Sequence, residues 1–435
     1  MKLVKLKASE ARIMRPKIFL IPSYIGSLKY LERVSLPLRR AYEVGFIIIQ
    51  LEDEKRKDMV EYCREHRLSF FDLTESAGGA ERVPFISPLL KRFRHSEECR
   101  KLLKRERPTK VVATKTVYPH DTILKEANDL GIETIILRWT FSADGIDRVQ
   151  RPKPSHQKKK KRGGSSFLKK AYYSVLSALT FFLDAPRTES KYGITPAIPH
   201  KIGALNAKDA EFFSHSYKKE TIRIIESIDI QSAFDLKQKI RSSEEYREKL
   251  LKKYNLDPRK IKIFLVAYRF YSKRDESDLG MTLREHLAYY QDAIKILRSF
   301  FPADAADIYL KLHPGEENVY DSYEELGVKI FGDESNIEEL VCLADLYIAS
   351  PQTNVNYLVL GSGVPALFIN FSLRSHLEAY VQNFHIRHVI TDKNDFLEKV
   401  REFKDGKLEH QYDNSRVDLK SLDRTVEFIV EERKT

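Results

Sequence analysis

Ile308-Tyr309-Leu310-Lys311-Leu312-His313-Pro314-Gly315, read together with Ser350-Pro351-Gln352-Thr353-Asn354, decides the fold. Each stretch carries or follows a short apolar run and opens a helical pattern. In an open parallel sheet such strand-to-helix junctions lie in the crevice at the carboxyl ends of the strands, where ligands bind. Two of them in one half of the chain point to a nucleotide diphosphate held on helix N-termini. Alternation along the strand puts Lys311 and His313 on one side and Leu312 on the other. Pro314 sets the start of the turn or helix that follows. A lysine and a histidine there can meet a diphosphate by charge and hydrogen bond. They can also be a solvent-facing amine and a helix cap. Ser350, Thr353 and Asn354 suit capping and phosphate binding alike, because the N–H groups of a helix start serve both.

The same rhythm extends outward. In the second half, strands are expected at 261–267, 307–312, 328–331, 345–349, 364–369 and 388–391, with helices at 282–300, 336–344, 354–360 and 394–403. A last helix at 419–432 closes the chain. In the first half, strands at 17–22, 45–51, 68–73, 109–114 and 133–139 alternate with helical patterns such as 52–66, 88–105 and 119–130. Continuous apolar strands between amphipathic helices predict parallel sheets covered on both faces, an α/β fold with two Rossmann-like open-sheet domains facing a cleft.

The rhythm breaks after residue 145. Arg151-Pro152-Lys153-Pro154 is incompatible with regular structure, Lys158, Lys159, Lys160, Lys161 and Arg162 form a charge block, and Gly163-Gly164-Ser165-Ser166 is flexible. An apolar, aromatic segment follows at 167–183, with Phe167, Tyr172, Tyr173, Phe181 and Phe182. It is shorter than the ~18 apolar residues that span a bilayer. A polybasic run beside such a segment can lie in the headgroup layer of an anionic membrane; the alternative is a solvated loop followed by a core helix. The expected organisation is an acceptor domain at 1–145, a membrane-associating insertion at 146–200, a return segment and crossing at 201–240, and a nucleotide-donor domain at 241–435.

The totals agree. A chain of 435 residues suits two domains of about 200 residues each. Hydrophobic residues at 42% and charged residues at 32% place it among globular chains. Ten basic side chains and no acid fall in residues 148–170, so the net charge of +12 leaves only +2 for the rest. The basic character belongs to one segment, which argues against a nucleic-acid-binding surface. Three cysteines without CxxC spacing argue against a disulfide framework or a structural zinc, and favour a reducing cytoplasm. The basic start of the chain has no apolar core of the signal-peptide kind.

Taken together, Lys311-Leu312-His313-Pro314, Leu340 to Leu346, Thr353-Asn354 and Gly363-Val364-Pro365 resemble the nucleotide half of GT-B glycosyltransferases. They look most like the bacterial polysialyltransferases, capsule sialyltransferases and CDP-glycerol glycerophosphotransferases. Thr353-Asn354 stands where those families carry a Ser-Ser pair, and no acid stands at 356–358, where many GT-B enzymes bind the donor ribose with Glu. UDP-sugar epimerases share the fold and the run 108–136.

The resemblance implies a glycosyltransferase that uses a nucleotide-activated sugar as substrate, with no cofactor and no metal, and inverts through a general base. Ala143-Asp144-Gly145 matches the acid-Asp-Gly motif in which these families place that base, with one acid missing; Asp-Gly is also a common turn. His120 and Asp121, at another strand end, are the rival bases, and a helix N-terminus favours the neutral form of His120. Arg269, with Lys273 and Arg274, follows the first strand of the second half and can neutralise a leaving diphosphate. Ser23 and Tyr24, after the first strand, would face the acceptor. The expected partners are a nucleotide-sugar donor, a glycan or lipid-linked acceptor and an anionic membrane surface, at the cytoplasmic face. Two other classes fit the same residues: a UDP-sugar 2-epimerase type of isomerase, and a membrane-docked GT-B scaffold without catalysis.

Overall fold

A computed structural model describes residues 15–74, 87–116, 119–140, 198–215, 217–266, 282–311, 321–332, 334–370 and 378–432. The first sheet begins with β1 (Lys17–Ile21), followed by α1 (Ile25–Leu38), β2 (Glu43–Ile48), α2 (Asp53–Glu65), β3 (Phe70–Asp72) and α3 (Ser87–Glu106). It continues through β4 (Lys110–Ala113), α4 (His120–Asp129), β5 (Glu133–Leu137), β6 (Lys201–Ala204), α5 (Ala207–Ser214) and β7 (Ile222–Ile224). Its seven strands run parallel in the order β3-β2-β1-β4-β5-β6-β7. Ile18 and Leu20 enter the core on one face, Phe19 and Ile21 on the other. That double burial explains why the strand is apolar without alternation.

Two helices, α6 (Ile228–Ser242) and α7 (Glu244–Lys253), lead to the second sheet. Its elements are β8 (Ile261–Val266), α8 (Leu283–Phe300), β9 (Ala306–Lys311), the single turn Asp321–Glu324, β10 (Val328–Phe331), α9 (Ile337–Leu343), β11 (Leu346–Ala349), α10 (Asn356–Ser362), β12 (Ala366–Phe368), α11 (Glu378–Asn383) and α12 (Lys393–Lys404). Five parallel strands stand in the order β10-β9-β8-β11-β12. Strand order reverses between β1 and β4 in one sheet and between β8 and β11 in the other. Those are the two places where ligand crevices form.

Several elements differ from their expected extents. Residues 388–391 do not form a strand; Ile390 makes one parallel bridge to Ile369. The reason is local: His388 is tied to Asp395 at 2.7 Å, and Asp392 caps α12 immediately afterwards. β7 is only three residues long because Ser227 caps α6 shortly after it. β5 ends at Leu137; the Arg138 N–H still donates to the Gly203 carbonyl of β6 at 3.0 Å, and Trp139 lies outside the ladder. The last helix, α13 (Ser421–Val430), packs Phe428 and Ile429 into the core of the first sheet. Lys110 donates to the carbonyl of Glu431 just beyond it at 3.1 Å, and Lys201 donates to the same carbonyl.

One close crossing joins α6 to α10. A Cβ at Gly361 would stand 2.0 Å from the carbonyl oxygen of Ile230. Gly363 then ends α10 at φ +66°, a left-handed conformation that suits glycine and turns the chain into β12. Among the described residues, no helix is long and apolar enough to cross a membrane.

Candidate active site

At the first reversal of strand order, the chain leaving β1 meets the chain leaving β4. Thr114 Oγ1 donates to Ser23 Oγ at 3.2 Å and to the Ile21 carbonyl at 3.4 Å. Ser27, in the first turn of α1, accepts from the backbone N–H of Ser23 at 2.7 Å and of Tyr24 at 3.0 Å. Gln50, after β2, donates through Nε2 to the Ser23 carbonyl at 3.1 Å. The loop after β1 is therefore held from three sides.

His120 joins it from α4, with Nε2 lying 3.1 Å from the Pro22 carbonyl. A carbonyl only accepts, so in the neutral ring Nε2 carries the proton and Nδ1 is the bare acceptor. Nδ1 has no hydrogen-bond partner among the described residues. The ring is 4% exposed. Burial, opposed by the Pro22 bond and reinforced by Lys115 and His95, lowers its pKa from 6.5 to about 4.

The linkage to stability follows. Unfolding lets this imidazole take a proton below pH ~6.5, whereas the folded chain takes it only near pH 4. Its contribution is thus complete above pH ~6.5 and is lost as pH falls toward 4, by up to about 3 kcal/mol. His120→Gln keeps a donor for Pro22 and should flatten the dependence of Tm on pH across that window. A slope identical to wild type would assign the effect to other groups.

Trp139, the sole tryptophan, packs edge-on against Tyr24 with ring centroids 4.8 Å apart at 72°. Gly26 makes room for it, since a Cβ there would stand 3.0 Å from the indole. Burial pushes the Tyr24 phenol up to about 12, with the Arg138 charge opposing, so it stays protonated at neutral pH. Lys115 Nζ lies 5.5 Å from the Tyr24 ring centroid.

In the second sheet, the ammonium of Lys311 donates to the Gly332 carbonyl at the end of β10. After β11, Ser350 Oγ accepts from the N–H of Gln352 at 3.3 Å, and Thr353 Oγ1 from the N–H of Val355 at 3.3 Å. These are local side-chain turns that shape the loop. Asn356 is fully buried and stitches it down: Nδ2 donates to the carbonyls of Ser350 (3.3 Å) and Pro351 (3.1 Å), and Oδ1 accepts from the Tyr347 hydroxyl at 3.0 Å. A residue so enclosed does not reach a ribose.

The two junctions touch. Asn354 Nδ2 donates to Thr140 Oγ1, just past β5 of the first sheet, at 3.1 Å. Asn206, at the N-cap of α5, donates to Asn383 Oδ1, which also accepts from the Tyr357 hydroxyl at 3.2 Å. Arg33 of α1 reaches Asp229 at 2.9 Å and Glu338 of α9 at 3.3 Å. The carboxyl ends of both sheets thus border one cleft.

Of the expected site residues, His120, Asp121, Lys311, Ser350, Thr353 and Asn354 are described. Asp121 is fully buried and accepts from Thr122 Oγ1 at 3.2 Å. Asp144, Arg269, His313 and Pro314 lie outside the described residues, as do Lys158, Lys159, Lys160, Lys161, Arg162, Phe167, Tyr172, Tyr173, Phe181 and Phe182. Among the described residues, no three His, Cys, Asp or Glu side chains are grouped to hold a metal ion. Arg138 and Trp139 went unmarked in the sequence because the strand was extended through them, and Thr140 stands just past its expected end. Their signal is the same strand-end position that marks Lys311.

No protein-family model matches the chain, and no curated protein matches it. Solved structures do. The UDP-GlcNAc 2-epimerase of Methanocaldococcus jannaschii is similar at TM-score 0.58 and 12% identity, over 94% of this chain and 98% of that one. The UDP-GlcNAc 2-epimerase of Neisseria meningitidis, bound to UDP-GlcNAc, is similar at TM-score 0.56 and 12% identity, with coverage of 94% and 98%. The glycotransferase of kitacinnamycin follows at TM-score 0.50 and 12% identity, with coverage of 96% and 95%. The fold is the GT-B type.

Proposed function

We propose that this chain is a nucleotide-sugar enzyme that transfers a sugar, or a related group, from its activated donor to an acceptor hydroxyl. The observation that carries this reading is the Asn354–Thr140 contact, which turns the strand-end loop of one sheet toward that of the other. A donor on the second sheet and an acceptor on the first would then face each other across the cleft. The donor diphosphate lies by Lys311, His313, Pro314, Ser350, Thr353 and Asn354, with Arg269 neutralising the leaving charge without a metal. The Lys-x-His-Pro resemblance supports that placement.

The proton of the acceptor hydroxyl goes to Asp144, with inversion at the transferred carbon. His120 suits this role less, because a pKa of about 4 makes a weak base at neutral pH and the ring is enclosed. It holds the loop after β1 instead. The basic and aromatic segment from Lys158 to Phe182 supports an acceptor glycan or glycolipid at the cytoplasmic face of an anionic membrane.

A second reading is an isomerase, favoured by two similar structures that are UDP-GlcNAc 2-epimerases. Incubation with UDP-GlcNAc and with CMP- and CDP-activated donors separates the two. Transfer releases nucleotide only when an acceptor is added, whereas epimerisation gives a new sugar with the nucleotide still attached. A bound nucleotide at 100 times its Kd should stabilise the chain by about 2.7 kcal/mol. A thermal-shift screen in which no CMP, CDP, UDP or GDP derivative moves Tm would overturn both readings.

A further inference from the structure

β5 ends at Leu137, and the pleat then sends the next two side chains to opposite faces of the first sheet. Trp139 goes to the face of α1, against Tyr24. Arg138 goes to the face of α5. There its Nε donates to Asp209 at 3.2 Å to Oδ1 and 3.4 Å to Oδ2, and its guanidinium carbon lies 5.7 Å from the Phe213 ring centroid. Asp209 is itself locked, since it also accepts from the backbone N–H of Leu205 at 3.2 Å and its side chain is 2% exposed. Arg138 is 29% exposed. Neither of its terminal Nη groups has a hydrogen-bond partner among the described residues.

The position is the junction of the two domains. Arg138 acts electrostatically on Tyr24 of the first and on Tyr357 of the second. Thr140, two residues on, makes the Asn354 contact. Asn206, three residues before Asp209, makes the Asn383 contact. An arginine needed only to neutralise Asp209 could be buried with it. This one is oriented through Nε and keeps a two-nitrogen edge without a hydrogen bond among the described residues, within electrostatic reach of Tyr24 and Tyr357, and such an edge matches a carboxylate or phosphate.

We propose that Arg138 is an anion-recognition residue of the interdomain cleft, set in orientation by Asp209, and that it binds an oxyanion group of the ligand held between the two sheets. This rests on the reading of the cleft as a substrate site. The oxyanion can be the phosphate of a nucleotide donor or the carboxylate of an acidic sugar.

Trp139 is the neighbouring residue and the sole tryptophan, so its fluorescence can report binding. Wild type, R138Q and R138K are titrated with UDP and CMP for the phosphate arm and with glucuronate and N-acetylneuraminate for the carboxylate arm, with uridine as the uncharged control. R138Q should weaken whichever arm binds by about 10- to 100-fold, the range for a hydrogen bond to a charged group, and leave any uridine response unchanged. R138K keeps the charge beside Asp209 but loses the fork, and should fall between. Loss in the phosphate arm places the contact on the donor, and loss in the carboxylate arm places it on an acidic sugar.

Nucleotides that bind wild type and R138Q equally, with no carboxylate binding that depends on Arg138, overturn the inference and leave the nucleotide reading standing. Carboxylate binding that depends on Arg138, with no nucleotide binding, upholds the inference and removes that reading. If nothing binds wild type, both fail. If R138Q does not fold, R138K decides, and an affinity equal to wild type overturns the proposal.

Discussion

Gly361→Val should lower Tm by about 6–12 °C. The Ile230 carbonyl stands 2.0 Å from where the new Cβ must go, and that atom is backbone, not the free end of a side chain. Either α10 or α6 has to move. Inserting carbon into a packed interior costs about 1–3 kcal/mol, and a β-branched residue against a neighbouring backbone belongs at the upper end. A domain of this size loses roughly 2–4 °C per kcal/mol. Gly361→Ala should show a smaller fall, because better helix propensity returns up to about 1 kcal/mol. The shift also propagates, since the loop at 350–355 opens α10, and nucleotide binding should weaken in step. A Tm within one degree of wild type for Gly361→Val would mean that the two helices have slack, and the close crossing would have to be abandoned.

Asn356→Leu is expected to be at least as damaging, and more selective for function. The leucine fits the volume but strands three buried groups: the Tyr347 hydroxyl and the carbonyls of Ser350 and Pro351. Leaving a buried polar group unsatisfied costs about 1–3 kcal/mol. A total of about 3–5 kcal/mol allows for partial repair by water or by a shift of the loop. The Ser350–Asn354 loop then loses its anchor, so the thermal shift given by nucleotide should vanish even below the melting transition. Asn356→Asp separates the parts. It still accepts from Tyr347, but it cannot donate to the two carbonyls and it buries a charge. Calorimetry at 20 °C that returns wild-type nucleotide affinity for both variants would show that the loop keeps its shape without this side chain.

The loop itself was visible from Ser350-Pro351-Gln352-Thr353-Asn354, yet the residue that shapes it was not. Asn356 looked like the vacant place of a ribose-binding acid, and it is an enclosed bracket. Polar residues at a helix start look alike in sequence whether they hold a ligand or hold the chain. His120 shows the same limit: its helix-start position foretold a neutral ring, but its bond to the Pro22 carbonyl joins residues 98 apart. Arg138 went unread for a simpler reason. Strand ends are the least sharply encoded part of a strand, and two further residues kept the apolar run plausible.

Strands buried on both faces must be apolar at every position, and helices covering them must be apolar on one side. Both requirements act within a few residues: the helices carry a period, and the strands carry unbroken apolar runs such as Ile18 to Ile21, Val111 to Ala113 and Ile308 to Leu310. The class, the paired open sheets and the strand ends that mark the candidate site are therefore written locally. The partners across the cleft are not. Asn354 meets Thr140 from 214 residues away, and Arg138 meets Asp209 from 71. These meetings depend on strand order, on the α6–α10 crossing at Gly361 and on the return of α13 to the first sheet. Each is a long-range packing choice that carries no period along the chain, so it exists only once the two sheets are built and pressed together.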